Sequence, residues 1–161
     1  MQLTQAQLAA LKAAILADPT LNAFPNNSDG NFAIAAAFNL PASPSFTVWK
    51  TKVTATEVGD NIIGTELAGL TTANLSRLQT IVAFSEAGVN PSLVDRRAFF
   101  DDVFSGAGGT GTRAKLLILW KRLATRGEKL FATGTGSDAA PATLTFEGQL
   151  SYPDVETARN S

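Results

Sequence analysis

Acid–base or nucleophilic chemistry in this sequence would have to use Asp, Glu, Lys, Ser or Tyr, because the chain of 161 residues contains no His and no Cys. That composition removes imidazole bases, His-ligated metals, thiolate nucleophiles and disulfides. Carboxylates cluster at two places, Glu57 with Asp60 and Asp101 with Asp102. The first pair shares a helical face, whereas adjacent residues such as the second pair diverge by about 100° around a helix. We interpret both pairs as solvating groups and predict no catalytic residue, no metal and no cofactor.

A glycine-rich segment, residues 106–111, matches the letters of a dinucleotide-binding fingerprint and opens a predicted helix. The amides at such a helix start could hold an anion. The fingerprint needs a preceding strand, however, and a helix is predicted there. A phosphate-binding P-loop would need Lys and then Ser or Thr after Gly111, where this sequence has Thr112 and Arg113. We therefore interpret the segment as a connector between helices.

Positive charge is concentrated in residues 113–129, although the net charge of the whole chain is −1. The cations there are Arg113, Lys115, Lys121, Arg122, Arg126 and Lys129. A solvated helical face is the simplest interpretation. The alternatives are a contact with an acidic partner and a basic lumen through which DNA passes in a ring of subunits. The near-neutral total argues against a whole-molecule affinity for nucleic acid or an anionic membrane.

Helical periodicity dominates residues 1–132 and predicts a mainly α fold, a single bundle of six or seven helices. Capping boxes mark helix starts at Thr4 and Thr125. Residues 45–54 are ambiguous between a strand and a helical turn. No run is long and apolar enough for a membrane helix and no secretion signal is evident, so we expect no membrane partner. The strongest apolar stripe is expected on a helix over residues 112–123, at Leu116, Leu119, Trp120 and Leu123.

Residues 133–161 are predicted to form an extended C-terminal arm that contains one strand, over residues 142–152. Apolar and polar side chains alternate along that strand, with a gap at Gly148. A strand beside a helical body needs a partner for its backbone N–H and C=O groups. The only internal candidate is the ambiguous segment around residues 46–49.

We expect the small, turn-forming residues at 133–141 to carry this strand to another copy or another protein, where it adds to a sheet. Deleting residues 142–161 is then expected to leave a folded monomer that no longer assembles. The expected partner-binding residues are Leu144, Phe146, Leu150 and Tyr152.

Three segments resemble a group of small structural proteins of tailed bacteriophages and prophages. They are LTQAQLAALKAAI (residues 3–15), SFTVWK (residues 45–50) and ATRGEKLFATGTG (residues 124–136). The resemblance implies a virion component that is made in the host cytoplasm. A helical body with an extended arm is also similar in outline to head–tail adaptors, which form rings beneath the portal.

These observations lead us to expect a non-enzymatic, ring-forming head–tail connector subunit that links portal and tail through its C-terminal arm. Two alternatives in the structural class are a capsid decoration protein and a tail-completion protein. An alternative from another class is a DNA-contacting packaging accessory protein. The expected partners are further copies of the chain and portal, tail or neck proteins, with non-specific passage of DNA.

Overall fold

The computed structural model describes residues 2–83 and 88–161, and it confirms that the protein is mainly helical. The chain divides into two compact units, residues 1–48 with 123–161 (the first unit) and residues 49–122 (the second unit). The expected organisation was a single bundle over residues 1–132 followed by an arm from residue 133. The division differs from it, because residues 123–161 belong to the same unit as residues 1–48.

Ten α-helices and two short strands lie in the described ranges. The helices are α1 (Gln5–Ala17), α2 (Pro19–Asn22), α3 (Ser28–Asn39), α4 (Ala55–Asp60), α5 (Gly64–Ala68), α6 (Thr72–Ala83), α7 (Val94–Val103), α8 (Thr110–Leu119), α9 (Arg126–Phe131) and α10 (Tyr152–Asn160). The strands are β1 (Thr47–Trp49) and β2 (Lys121–Leu123), which pair in a two-stranded sheet. The ambiguous segment at residues 45–54 is therefore a strand in part.

Both predicted capping boxes are confirmed. At α1 the Thr4 hydroxyl accepts from the N–H of Gln7 at 3.3 Å, and the Gln7 side chain accepts from the Thr4 N–H at 2.9 Å. At α9 the N–H of Glu128 donates to the Thr125 hydroxyl at 3.1 Å, and the Glu128 carboxylate accepts from the Thr125 N–H at 3.0 Å. Each box satisfies N–H groups that a helix start would otherwise leave unpaired.

The core of the first unit is formed by the inward faces of α1, α3 and α9 and by α10, which packs against both α1 and α3. The burial of these apolar side chains is the main term that stabilises the unit. Its buried residues include Leu8, Leu11, Ile15, Ile34, Phe38, Phe131, Phe146, Leu150, Val155 and Ala158.

The predicted strand over residues 142–152 is wrong. Ala142 forms an isolated parallel bridge to Val48 and Thr143 an antiparallel one to Thr133, but residues 144–151 have no regular secondary structure. The Thr133 N–H donates to the Thr143 carbonyl at 2.8 Å and the reverse bond is 2.9 Å. The expected linker therefore folds back on itself, and the chain then ends in the helix α10.

Backbone groups that the prediction left without partners are satisfied within the same unit. The Gly148 N–H donates to the buried Glu128 carboxylate at 3.1 Å. The Asn39 side chain accepts from the Leu150 N–H at 2.8 Å and donates to the Leu150 carbonyl at 2.9 Å. These three backbone groups need no external sheet, because buried polar groups are satisfied by side chains as well as by ladders.

The second unit surrounds a separate core to which α4, α6, α7 and α8 contribute. An antiparallel bridge between Val53 and Val89 joins the segments that flank α4 and α7. A 3₁₀ turn at Ala107–Gly109 leads into α8. The buried residues of the core of the second unit are Val53, Val58, Leu78, Val89, Phe100, Val103, Phe104, Leu116 and Trp120.

Candidate functional site

Two of the four predicted partner-binding residues are core residues of the first unit. Phe146 is 5% exposed and Leu150 is 3% exposed. The Phe146 ring lies edge-on to Phe131, with 5.4 Å between the ring centroids. Both side chains are buried in their own unit, so strand addition through these two residues would require the unit to open.

The other two predicted partner-binding residues also have contacts inside the first unit. Leu144 is half-buried and packs against a small cluster that contains Val48 and Ala142. The Tyr152 ring is partly exposed and lies 4.4 Å from the Phe32 ring, centroid to centroid. All four residues therefore contribute to the fold of their own chain.

The six basic residues predicted as a DNA or acidic-partner contact do not belong to one unit. Arg113, Lys115, Lys121 and Arg122 lie in the second unit, whereas Arg126 and Lys129 lie in the first. Cations that are close in sequence are therefore divided between the two units.

In the first unit both cations are engaged. Arg126 pairs with Asp18 at 2.7 Å, and its guanidinium lies 4.8 Å from the centroid of the Phe38 ring. The hydrogen bond from Arg126 is the main cause that lowers the pKa of Asp18. The Lys129 ammonium lies 5.5 Å from the centroid of the Phe46 ring, within cation–π range.

In the second unit, Arg113 donates to the carbonyl oxygens of Phe104 and Gly106. Lys121 and Arg122 are half-buried in β2, and each interacts with other groups of the protein. Lys115 is exposed on α8. Five of the six cations therefore interact with other groups of the chain, and Lys115 is the exposed one for which no such contact is described.

The glycine-rich segment at residues 106–111 already holds an anion that belongs to the protein. One carboxylate oxygen of Glu66 accepts from the Gly111 N–H at 2.9 Å, and the other accepts from the Thr112 N–H at 2.7 Å. The Thr112 hydroxyl in turn accepts from the Ile63 N–H at 3.0 Å. Glu66 therefore occupies the position at the start of α8 where a bound phosphate would be expected.

The bonds to Glu66 predict a pH-dependent stability. Hydrogen bonds from Thr112 and then from Gly111 lower the pKa of Glu66 below its ordinary value of 4.5. The carboxylate therefore stabilises the fold fully above about pH 4.5, and this contribution is lost as the pH falls through the lowered pKa. We expect Glu66→Gln to lower the melting temperature at neutral pH and to differ less from the unmodified protein in acid.

Thermal unfolding followed by circular dichroism between pH 3 and pH 7 measures this difference, because that pH range includes the ordinary pKa of a carboxylate. The matched control is Glu156→Gln, which changes an exposed carboxylate on α10 and is expected to have little effect at any pH. An equal loss for Glu66→Gln at every pH would contradict the assignment.

The surface of α8 carries a feature that the sequence analysis missed. Leu116 is buried, but Ile118 is 74% exposed and Leu117 is 44% exposed. Together with the exposed Ala114 they occupy positions i, i+3 and i+4, which share one face of a helix. Because these side chains are exposed, this outer face of α8 has no cover within the described chain. A helix that is apolar on opposite faces is usually buried on both.

A second exposed apolar surface lies at the start of α7. Val94 is 65% exposed, and Leu93 beside it is also exposed. Leu93 and Val94 line a cleft of about 360 Å³ together with Asp95 and Arg96. Both this surface and the outer face of α8 lie in the second unit.

Comparisons with family models, curated proteins and solved structures give no match to this chain.

Two of the four clustered carboxylates have contacts within the chain. Glu57 accepts from the Thr54 N–H at 2.8 Å as part of a capping box, and this bond is the main cause that lowers the pKa of Glu57. Asp102 forms an exposed ion pair with Arg77 at 2.8 Å. Among the described residues no three acidic side chains are grouped as metal ligands would be, and no helix is long and apolar enough to cross a membrane.

Proposed function

We propose that this protein is a non-enzymatic assembly subunit whose copies associate through the second unit. More specifically, we propose that it is a structural protein of the tailed-phage virion and forms a ring that connects portal and tail. The observation that carries the proposal is the uncovered apolar face of α8, at Ala114, Leu117 and Ile118.

The energetic argument starts from the cost of leaving this face in water. Transfer of apolar surface out of water contributes roughly 25 cal/mol for each Å², and a buried Leu or Ile side chain contributes about 1.5–3 kcal/mol. Ile118 is the most exposed of the large apolar side chains described, so most of that free energy is unused in the single chain. Contiguous exposed apolar groups of this kind are typical of interaction surfaces.

The composition of the chain supports the same conclusion. Charged residues make up 17% of the sequence, below the usual quarter or so, and small residues take their place. Few charges need to lose their water when such surfaces meet, so association costs little desolvation. The phage-virion setting rests on the resemblance of residues 3–15, 45–50 and 124–136 to phage structural proteins.

The experiment is sedimentation velocity on the full chain over a wide range of protein concentration. We expect a discrete oligomer to grow at the expense of the monomer, as a closed assembly requires. A chain that remains monomeric at every concentration, with circular dichroism showing it folded, would contradict the proposal.

Position in the virion needs a separate measurement on purified phage particles that contain the protein. Antibody labelling seen by electron microscopy is expected at the neck, between head and tail. Labels spread over the capsid surface would instead indicate a decoration protein. That result would overturn the proposed connector role but not the proposed role as an assembly subunit.

A further inference from the structure

We propose that the outer face of α8 docks onto the outer face of α7 in a second copy of this chain. This inference rests on the proposed function and names the two surfaces that meet. The two faces differ in charge and shape, so the contact is between unlike surfaces.

The α8 face is an apolar ridge with a positive edge. Ala114, Leu117 and Ile118 form the ridge, and the exposed Lys115 lies beside it, about 60° around the helix from Ile118. Arg113 lies on the other side of the ridge, but its guanidinium is tied to backbone carbonyls of its own unit. Lys115 is therefore the cation of this edge that can turn towards a partner.

The α7 face combines apolar side chains with acidic ones. Val94, Ala98 and Asp101 follow each other at i, i+4 and i+7 along one side of the helix, and all three are exposed. Asp95 and Asp102 lie on the flank of the same side. Asp102 is paired with Arg77, and Asp101 interacts electrostatically with Arg97, which leaves the exposed Asp95, next to Val94, as the carboxylate that can meet a partner.

The two cations of α7 do not cancel this acidic face. Arg97 is turned inward, with its guanidinium 3.9 Å from the centroid of the Trp49 ring and a hydrogen bond to the Pro91 carbonyl. Arg96 lies about 160° around the helix from Ala98, although it lines the same cleft as Val94 and Asp95. The side of α7 that presents Val94 and Ala98 therefore carries more carboxylates than cations.

Charge and shape both favour a contact between the two faces. The cleft of about 360 Å³ lined by Leu93 and Val94 can receive an apolar side chain, and Ile118 is the most exposed large one described. With Ile118 in that cleft, Lys115, which lies less than one helical turn from Ile118, can approach Asp95 at the edge of the cleft. Unlike charges at the rim set the register and suppress wrong pairings, while the apolar centre supplies affinity.

The test compares association of full-length variants by sedimentation velocity. Ile118→Asp and Val94→Asp each place a charge in the apolar centre and are each expected to raise the dissociation constant about 30-fold or more. The matched control is Leu40→Asp, which changes a side chain 62% exposed in the first unit and is expected to alter association less than about 3-fold. Unchanged circular dichroism and melting temperature establish that each variant folds.

A charge exchange tests the pairing itself. Lys115→Glu and Asp95→Lys, made singly, each place like charges opposite one another and are expected to weaken association about 5-fold to 10-fold. The chain that carries both substitutions is expected to recover to within about 3-fold of the unmodified protein, as a coupled pair requires. Rescue of this kind does not arise from a general loss of solubility or folding.

The other outcomes each overturn a stated claim. An unmodified chain that assembles while Ile118→Asp and Val94→Asp assemble equally well would refute this interface and leave the assembly subunit standing. Weakening by Ile118→Asp alone, an equal effect of Leu40→Asp, or no rescue in the double variant would refute the pairing of α8 with α7. A monomeric unmodified chain would refute the proposed function as well.

Discussion

Removing residues 150–161 is expected to unfold the first unit. The deletion takes away the buried side chains of Leu150, Val155 and Ala158, and it uncovers the faces of α1 and α3 on which α10 packs. It also removes Arg159, whose guanidinium donates to the carbonyl oxygens of Phe24 and Pro25 at 2.9 and 3.1 Å. A single buried Leu→Ala substitution costs about 2–5 kcal/mol, and a whole domain is stable by about 5–15 kcal/mol.

We therefore expect the amides of α1 and α3 in the truncated chain to lose their protection from hydrogen exchange. Leu150→Ala is the milder version and is expected to lower the free energy of unfolding by about 2–5 kcal/mol. The matched control, Glu156→Ala, changes an exposed residue of α10 and is expected to stay within about 0.5 kcal/mol. Protection of α1 and α3 equal to that in the full chain would show that α10 is dispensable.

Replacing Trp120 has two very different outcomes that depend on the replacement. Trp120 is 2% exposed and lies edge-on to Phe100, with 5.4 Å between ring centroids. Its indole Nε1 is buried without a hydrogen-bond partner among the described residues. Trp120→Ala leaves a large cavity and is expected to cost about 3–5 kcal/mol.

Trp120→Phe keeps an aromatic ring beside Phe100 and removes the unpaired N–H. A buried donor without a partner costs about 1–3 kcal/mol. Its removal therefore offsets much of the free energy that is lost because the Phe ring is smaller. We expect Trp120→Phe to change the free energy of unfolding by less than about 1.5 kcal/mol, measured by urea denaturation followed by circular dichroism. A loss as large as that of Trp120→Ala would show that the indole N–H is bonded in solution.

The helical body was predictable because its signals are local. The capping boxes at Thr4 and Thr125 place two helix starts correctly, since the cap residues and the helix they begin are adjacent in sequence. Leu116 and Trp120 were assigned to the core and are buried. Leu123 is exposed instead, because α8 ends at Leu119 and the chain continues as β2.

The C-terminal segment was predicted wrongly because an alternating pattern does not by itself produce a strand. Phe146 and Leu150 face the core as the pattern indicated, but Gly148 lies between them with φ of 120° and the chain turns there. A local signal for α10 was present: Ser151 and Asp154 form a capping box with Pro153 in the first turn. The contacts of Asn39 and Glu128 with this segment join residues distant in sequence and could not be predicted from one chain.

The candidate site was less predictable than the fold. One apolar stripe of α8 is satisfied by the core, and only the structure shows that the second stripe at Ala114, Leu117 and Ile118 is left uncovered. Likewise, the likeness of residues 106–111 to a phosphate-binding loop could be resolved only when Glu66 was found at its amides. Both findings depend on long-range packing, which composition and spacing do not encode directly.

Hydrogen exchange on the unmodified chain, measured at low and at high protein concentration, shows which helices the association protects. We expect α10 to be protected already in the dilute monomer, and a higher concentration to add protection in α7 and α8. Protection of α10 that appears only on association, with no change in α7 and α8, would instead place the contact between copies in the C-terminal segment.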